Sequence, residues 1–318
     1  MNHFMIILGV ESTAHTFGVG IVNSQGDVLA NSSDSYTSQD GMILDEVAEH
    51  HKKVAENVLR KAFKEANLSW DQVDFISYSA GPGLDPVLWA GYHIAKKWAS
   101  ENNKKLVGVN HCCAHLSIGK VFNKLKDPCY LYVSGVNTQV IVQEGGKYRV
   151  MGETLDLGLG NMLDKLGRIL GLGFPAGPKI EEMATHGKYV ELPYIVKGMD
   201  TSFSGILTKC QQLLEKGISK EDLCFSVQET CFAMLAEVTE RAMAHNDKTE
   251  LLLVGGVGAN KRFCKMMEIM CEERGAKFYK VPMSLAGDQG AMIAWEGFLR
   301  KEESGDIECN PHWRTDEV

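Results

Sequence analysis

In residues 109–116, VNHCCAHL, His111 and His115 stand four residues apart. On a helix both imidazoles leave the same face, one turn apart, which is how two ring nitrogens come to share a divalent ion. A pair alone fits packed imidazoles as well as it fits ligands. The zinc-protease motif of this spacing carries a glutamate after the first histidine as general base, and Cys112 occupies that place here, so peptide hydrolysis lacks its base. A third donor arrives late in the chain. Asp288, in GDQGAM, follows a strand in the second half at the position that mirrors the histidine pair in the first. Two histidines and one carboxylate with an open position suit iron and zinc alike. Cys112 and Cys113 point off the ligand face and read as core.

A second set of residues suits phosphates. Gly135 in VSGVNT, Gly177 in FPAGPKI and the run Gly255, Gly256, Val257, Gly258 follow strands or precede helices. There, backbone N–H groups approach an anion closely and helix N-termini favour negative charge. Any one such turn is weak. Several together, with Ser134, Asn137, Thr138 and Asn260 as hydrogen-bonding side chains, read as a nucleotide site. Neither a Walker A motif nor an ordered GxGxxG is present, which disfavours P-loop and Rossmann enzymes. Asp164 in GNMLDKLGR and Glu181 in GPKIEEM are carboxylates that could accept bonds from ribose hydroxyls, although spacing alone favours a solvated helix face for each.

The elements that must position these residues occur twice. Residues 6–30 read as strand, turn, strand, Gln-Gly-Asp hairpin and strand, and residues 130–154 repeat that plan. An apolar strand at 74–79 runs into Ala80-Gly81-Pro82-Gly83, and one at 250–254 runs into the second glycine run. A helix and a further strand follow each; the first copy delivers His111 and His115, the second Asp288. The expectation is two mixed α/β lobes related by a pseudo-twofold, residues 1–125 and 126–318, with nucleotide and metal in the cleft and an insertion at about 157–210. On this plan Asp288 reaches the histidines from the opposite lobe. Residues 45–63 predict an amphipathic helix with Val47, Val54, Val58 and Phe63 near one stripe, and 302–318 a loosely held tail.

Composition narrows the class. The chain has 318 residues, 44% hydrophobic and 23% charged, ordinary for a globular protein. No apolar run reaches the roughly 18 residues of a membrane span, and the opening MNHFMIILGV lacks a signal-peptide cleavage site. Nine cysteines without a CxxC pair suit reduced thiols in the cytoplasm. A net charge of −8 argues against holding nucleic acid by a global field.

Taken together these segments resemble the universal tRNA threonylcarbamoyladenosine transferases, specifically the archaeal and eukaryotic branch found in the KEOPS complex. The resemblance covers nearly the whole chain. It rests on ESTAHTFGVGIV (11–22), SAGPGLDPVLWAG (79–91), VNHCCAHLSIGK (109–120), LYVSGVNTQVIV (131–142), ETLDLGLGNMLDKLGR (153–168), FPAGPKIEEMA (174–184), SFSGILT (202–208), GGVGANKRF (255–263), GDQGAMIAWEG (287–297) and WRTDEV (313–318). It implies an actin-like, Hsp70-like ATPase (ASKHA) fold and transfer of a threonylcarbamoyl group from threonylcarbamoyl-AMP to N6 of adenosine 37, just after the anticodon, in tRNAs reading ANN codons. It further implies metal ligation by His111, His115 and Asp288, with Tyr132 joining them. Nucleotide contacts fall on Tyr132, Val133, Ser134, Gly135, Val136, Asp164, Gly177, Glu181 and Asn260. The cofactors implied are one divalent ion, iron ahead of zinc, and an adenine nucleotide (threonylcarbamoyl-AMP, ATP or AMP). The partners are tRNA, a Bud32-type kinase, small Pcc1-like and Cgi121-like subunits, and a threonylcarbamoyl-AMP synthase that supplies substrate; no membrane is involved. Three positions depart from the pattern. Val136 replaces a small residue and should crowd a phosphate, Gln289 replaces the more frequent asparagine, and His15 stands where the bacterial branch has an acid.

Three rival classes remain open from the residues: a glycoprotease-like metallopeptidase, which shares the HxxxH spacing, a small-molecule kinase on the same fold, which has no use for the histidine pair, and a non-catalytic scaffold within a complex, whose function His111→Ala would leave untouched.

Overall fold

The computed structural model describes residues 4–37, 43–303 and 305–318. The chain forms two compact units, residues 1–122 with 287–318, and residues 123–286.

In the first unit, β1 (Ile6–Glu11), β2 (Thr16–Asn23) and β3 (Val28–Ser35) form an antiparallel meander. The β2–β3 turn holds Gly26 at φ +88°, a left-handed conformation that a side chain disfavours. Helix α1 (Leu44–Ala66) follows, then β4 (Phe75–Gly81), α2 (Asp85–Glu101), β5 (Lys105–Asn110) and α3 (His111–Phe122). β4 pairs parallel with β1 and β5 parallel with β4, so the sheet order is β3-β2-β1-β4-β5. Helix α1 contains the expected stripe, but its buried face runs through Val47, His51, Ala55, Val58 and Ala62, with Val54 and Phe63 at its margin.

The second unit repeats the plan. β6 (Cys129–Val133), β7 (Thr138–Glu144) and β8 (Lys147–Glu153) form the meander. Then come α4 (Leu159–Leu170), α5 (Gly177–Ala184), the two-residue strands β9 (Val196–Lys197) and β10 (Asp200–Thr201), α6 (Ser204–Glu215) and α7 (Lys220–His245). β11 (Glu250–Val254), α8 (Lys261–Glu273), β12 (Lys277–Lys280) and the short α9 (Met283–Ala286) complete it. Its sheet order, β12-β11-β6-β7-β8, has the same topology as the first. Where α1 and a short 3-10 turn at Trp70–Gln72 lead from the meander to the next strand in the first unit, the second inserts α4 through α6 before α7. Its core is closed by Phe232 of α7 stacked on Phe263 of α8, ring centroids 4.6 Å apart.

The last helix, α10 (Gly290–Arg300), belongs to the first unit. This corrects the expected division at residue 126 and, with it, the idea that Asp288 approaches from the other half. The cause lies in side-chain size. On one face of the first sheet Leu8, Val10, Val19 and Ile21 pack in the core that α1 and α2 cover. On the other face stand Gly9, Gly18 and Gly20, and α10 lies directly on them. A Cβ on Gly20 would fall 2.0 Å from Ala291 N, and one on Gly290 2.1 Å from Gly20 N. Backbone thus meets backbone, and only glycine on β1 and β2 allows it. All residues of α10 from Gly290 to Gly297 are buried, Glu296 among them, paired with Arg300 at 3.1 Å.

The tail is also held more firmly than its composition suggested. Asn310 N donates to Ala80 O at 2.8 Å, Tyr78 donates its hydroxyl to Ile307 O, and Asn110 Nδ2 donates to Trp313 O at 3.2 Å. With Gly108 N donating to Gly305 O at 2.8 Å, backbone and side-chain groups of β4 and β5 thereby find partners in a segment that looks like a loop. No helix among the described residues is long and apolar enough to cross a membrane.

Candidate metal centre and nucleotide loops

β5 ends at Asn110, and Asn110 Oδ1 accepts from Cys113 N at 3.1 Å, starting α3 immediately. The two histidines therefore occupy the first two turns of a helix whose position the sheet dictates. Both are buried, and their rings meet edge to face with centroids 4.7 Å apart. Asp288 stands two positions before α10, with Gln289 between them. Gln289 caps that helix, its Oε1 accepting from Met292 N at 3.0 Å, so the substitution of Gln for Asn keeps the cap.

Asp288 Oδ1 lies 3.5 Å from His111 Nε2 and 3.3 Å from His115 Nε2, and one donor atom from each residue falls within 4.8 Å of the others. Ligands of a tetrahedral ion at bonds of about 2.0–2.1 Å sit about 3.4 Å apart, so one first-row divalent ion fits these donors. The three side chains converge within one unit.

Sequence reasoning missed the residue behind them. Glu11, at the end of β1, is fully buried, and its Oε2 lies 3.0 Å from His111 Nδ1. Its Oε1 accepts from Thr13 N at 2.8 Å and from Thr13 Oγ1 at 2.5 Å. A carboxylate on Nδ1 keeps the proton there and turns Nε2 toward Asp288, the arrangement that metal-binding histidines use. The signal was available: Glu11 is the one charged residue in the apolar strand IILGVE, and a buried acid needs a partner.

Charges follow from this packing. Burial disfavours the charged form of His111, but the Glu11 and Asp288 carboxylates outweigh it and raise the ring to about 9. His115 is lowered, by burial first, with the neighbouring His111 adding to it against the Asp288 hydrogen bond. Burial opposes ionisation of Asp288, yet its hydrogen bond from His115 and the two imidazoles hold it well below the ordinary carboxylate range. Cys112 and Cys113 are buried, burial pushes the Cys113 thiol up, and its Sγ faces Thr315 O. They are core, as expected.

The nucleotide candidates all lie in the second unit. Ser134, Gly135 and Val136 form a tight turn after β6, closed by Ser134 N to Asn137 O at 2.8 Å. This turn caps α4: Gly160 N donates to Ser134 O at 3.1 Å, Asn161 N to Gly135 O at 2.9 Å, and Leu159 N to Thr138 Oγ1 at 2.9 Å. Gly158, Gly160 and Gly255 allow the contact, since a Cβ on any of them would strike a carbonyl of residues 133–136. Val133 is buried. Val136 is 72% exposed, its side chain turned to solvent. Tyr132 lies in the same strand with its hydroxyl 3.5 Å from Asn137 Nδ2.

Asp164 and Glu181 are more than solvated acids. Asp164 Oδ1 accepts from Ala176 N at 2.9 Å, holding the start of α5 against α4, and Glu181 Oε1 accepts from Lys261 N at 2.7 Å at the start of α8. Each keeps a second oxygen. Asn260 caps α8 through Phe263 N at 2.9 Å and donates to Gln228 Oε1 at 2.6 Å. At Gly177 and Gly256 an added Cβ would meet nothing within 4 Å; these glycines face open space, where a ligand can approach the backbone.

The family model described as TsaD, tRNA N6-adenosine threonylcarbamoyltransferase, matches residues 25–295. A tRNA N6-adenosine threonylcarbamoyltransferase of Thermococcus kodakarensis is 52% identical over 99% of this chain and 98% of its own length. A probable bifunctional tRNA threonylcarbamoyladenosine biosynthesis protein of Methanobrevibacter smithii is 48% identical, with 99% of this chain matching 60% of it. Among solved structures, HypF of T. kodakarensis is similar at TM-score 0.65 and 15% identity over 93% of this chain and 47% of that one. The (R)-2-hydroxyglutaryl-CoA dehydratase component A of Acidaminococcus fermentans is similar at TM-score 0.57 and 14% identity, covering 93% and 98%. These two likenesses concern the fold, the two-sheet actin-like architecture described above.

Proposed function

Because the chain belongs to the tRNA N6-adenosine threonylcarbamoyltransferase family, we propose that it moves a threonylcarbamoyl group from threonylcarbamoyl-AMP to N6 of adenosine 37 in tRNAs reading ANN codons, as the catalytic subunit of a KEOPS-type complex. The observation that carries this is the convergence of two buried histidines, His111 and His115, on the half-buried Asp288, with His111 oriented by Glu11.

A divalent ion held there, iron ahead of zinc, supplies Lewis-acid polarisation and a template for the acyl donor. The chain's own groups do the rest. Glu11 keeps the His111 Nδ1 proton in place and leaves Nε2 as a ligand. The Val133–Val136 turn, Gly177 and the Gly256 segment offer backbone close to phosphate, while the second oxygens of Asp164 and Glu181 accept from ribose hydroxyls. In the transfer N6 attacks the carbamoyl carbon, the bond from that carbon to the phosphate oxygen breaks, AMP leaves with the electron pair, and N6 gives up a proton. An anticodon loop suits this because its bases are accessible outside a duplex.

Peptide hydrolysis gains nothing from the geometry. Cys112, in the place of the protease base, is buried, and the nearby Glu11 is engaged on Nδ1. The bifunctional relatives support a second activity working beside this one, and the chain's net charge of −8 supports a share of the tRNA affinity coming from a Bud32-type kinase and small Pcc1-like and Cgi121-like subunits.

The test combines the protein, its partner subunits, undermodified tRNA, ATP, threonine, bicarbonate and the adenylate-forming synthase, followed by mass spectrometry of the nucleosides. Threonylcarbamoyladenosine should appear, and His115→Ala should abolish it. Failure of the wild-type mixture, with every other component shown active, defeats the assignment.

A further inference from the structure

Among the described residues the most exposed large apolar side chain is Phe174, at 83%. It stands in GLGFPAG, the loop joining α4 to α5, and three neighbouring features give it a use. Along α4, Asn161, Lys165 and Arg168 are all exposed and, at i, i+4 and i+7, share one face spanning roughly 10 Å. That stripe begins at the Ser134–Val136 turn, for the Asn161 Oδ1 lies 3.2 Å from where a Gly135 Cβ would be. It ends beside the loop, which packs along the adjacent flank of α4: Asp164 binds Ala176 N, and Gly167 has no room for a side chain because Ala176 Cβ would sit 2.1 Å from it. The first turn of α5 adds a cation. Lys179 Nζ donates to Leu172 O and lies 3.5 Å from the position of a Gly173 Cβ.

Charge along this surface is less negative than that of the molecule. Between Leu159 and Ala184 there are three cations, Lys165, Arg168 and Lys179, and three carboxylates, Asp164, Glu181 and Glu182, of which Asp164 and Glu181 each accept from a backbone N–H, whereas the whole chain carries −8. An exposed ring beside a line of cations matches single-stranded RNA, in which bases stack on aromatic faces and phosphates take the charges. A groove for a hydrophobic peptide would show several apolar residues around Phe174, and in sequence it stands between the exposed Gly173 and Pro175.

We infer that the α4–α5 surface binds the anticodon loop of the RNA substrate, with Phe174 stacking on an unpaired base and Lys165, Arg168 and Lys179 contacting its phosphates. This deepens the transferase reading and rests on it for the identity of the RNA; the binding itself can be measured without turnover.

The experiment uses the assembled complex and an unmodified anticodon stem-loop, with binding followed by fluorescence anisotropy and turnover measured separately. Phe174→Ala should weaken binding roughly tenfold, the loss expected of one stacked base, and raise KM for RNA by the same factor while kcat moves less than twofold. Phe174→Trp should restore both. Lys165→Gln with Arg168→Gln should weaken binding and flatten its dependence on log salt by about 1–2. The inference is overturned if Phe174→Ala binds RNA within twofold of wild type. It is equally overturned if the variant loses subunits from the complex on sedimentation, which would make the surface a protein contact. A wild-type complex that binds the stem-loop through Phe174 but transfers nothing would sink the transferase reading and leave this one standing.

Discussion

Glu11 Oε2 and His111 Nδ1, one hundred positions apart in sequence, lie 3.0 Å from each other inside the protein. This contact decides which nitrogen of His111 faces Asp288. It also ties the end of β1 to the start of α3, so the orientation of His111 is built into the sheet.

Glu11→Gln retains the shape of that contact and removes its charge. Metal affinity should fall 10–100-fold, as for other carboxylates that orient a ligating histidine. Competition against a chromophoric chelator measures it, and a fall of less than threefold contradicts the role given to Glu11.

Metal should stabilise the wild type by mass action, by about 2.7 kcal/mol when the free ion is at one hundred times its Kd. In a thermal melt, added iron(II) or zinc should raise Tm, and His115→Ala or Asp288→Asn should remove most of the rise. An undiminished shift in both variants would place the ion elsewhere.

His51, on the buried face of α1, sits with its Nδ1 2.8 Å from Ser12 Oγ, and burial lowers its ring to about 4. Its folded-state pKa is below the unfolded value near 6.5. The unfolded chain therefore takes up the proton first on acidification. The stability contributed is full above about pH 6.5 and declines as pH falls toward 4, by up to about 3 kcal/mol. Urea melts across that window should show the decline, and His51→Gln should flatten it; an unchanged slope in the variant counts against a buried neutral ring.

Gly20→Ala places a methyl 2.0 Å from Ala291 N. Helix α10 must shift, and overpacking of this kind costs about 1–3 kcal/mol or more. Because Asp288 leads into α10, metal affinity should fall with stability. Gly177→Ala is the contrasting case. Its added Cβ meets nothing within 4 Å and helix propensity favours alanine, so Tm should hold or rise while adenine nucleotide binds more weakly. Calorimetric titration with AMP beside a thermal melt separates the two effects, and unaltered AMP affinity would remove Gly177 from the site.

The sequence by itself determined the repeated strand–helix plan, the His111–His115 spacing and the glycine turns, because these depend on local periodicity and on residue types a few positions apart. It pointed to Asp288 for the same reason. Which sheet receives α10, the partner of Glu11, and the hydrogen bonds that Asp164, Glu181 and the 305–318 tail make were decided only in three dimensions. Each depends on a close approach between segments distant in sequence: Gly20 against Gly290, Glu11 against His111, Asp164 against Ala176, Ala80 against Asn310. A local pattern can state that a glycine leaves space or that a buried acid requires a partner. Which group fills the space or meets the acid is settled when the sheet forms and packing sets Gly290, Ala291 and Ala294 of α10 upon it.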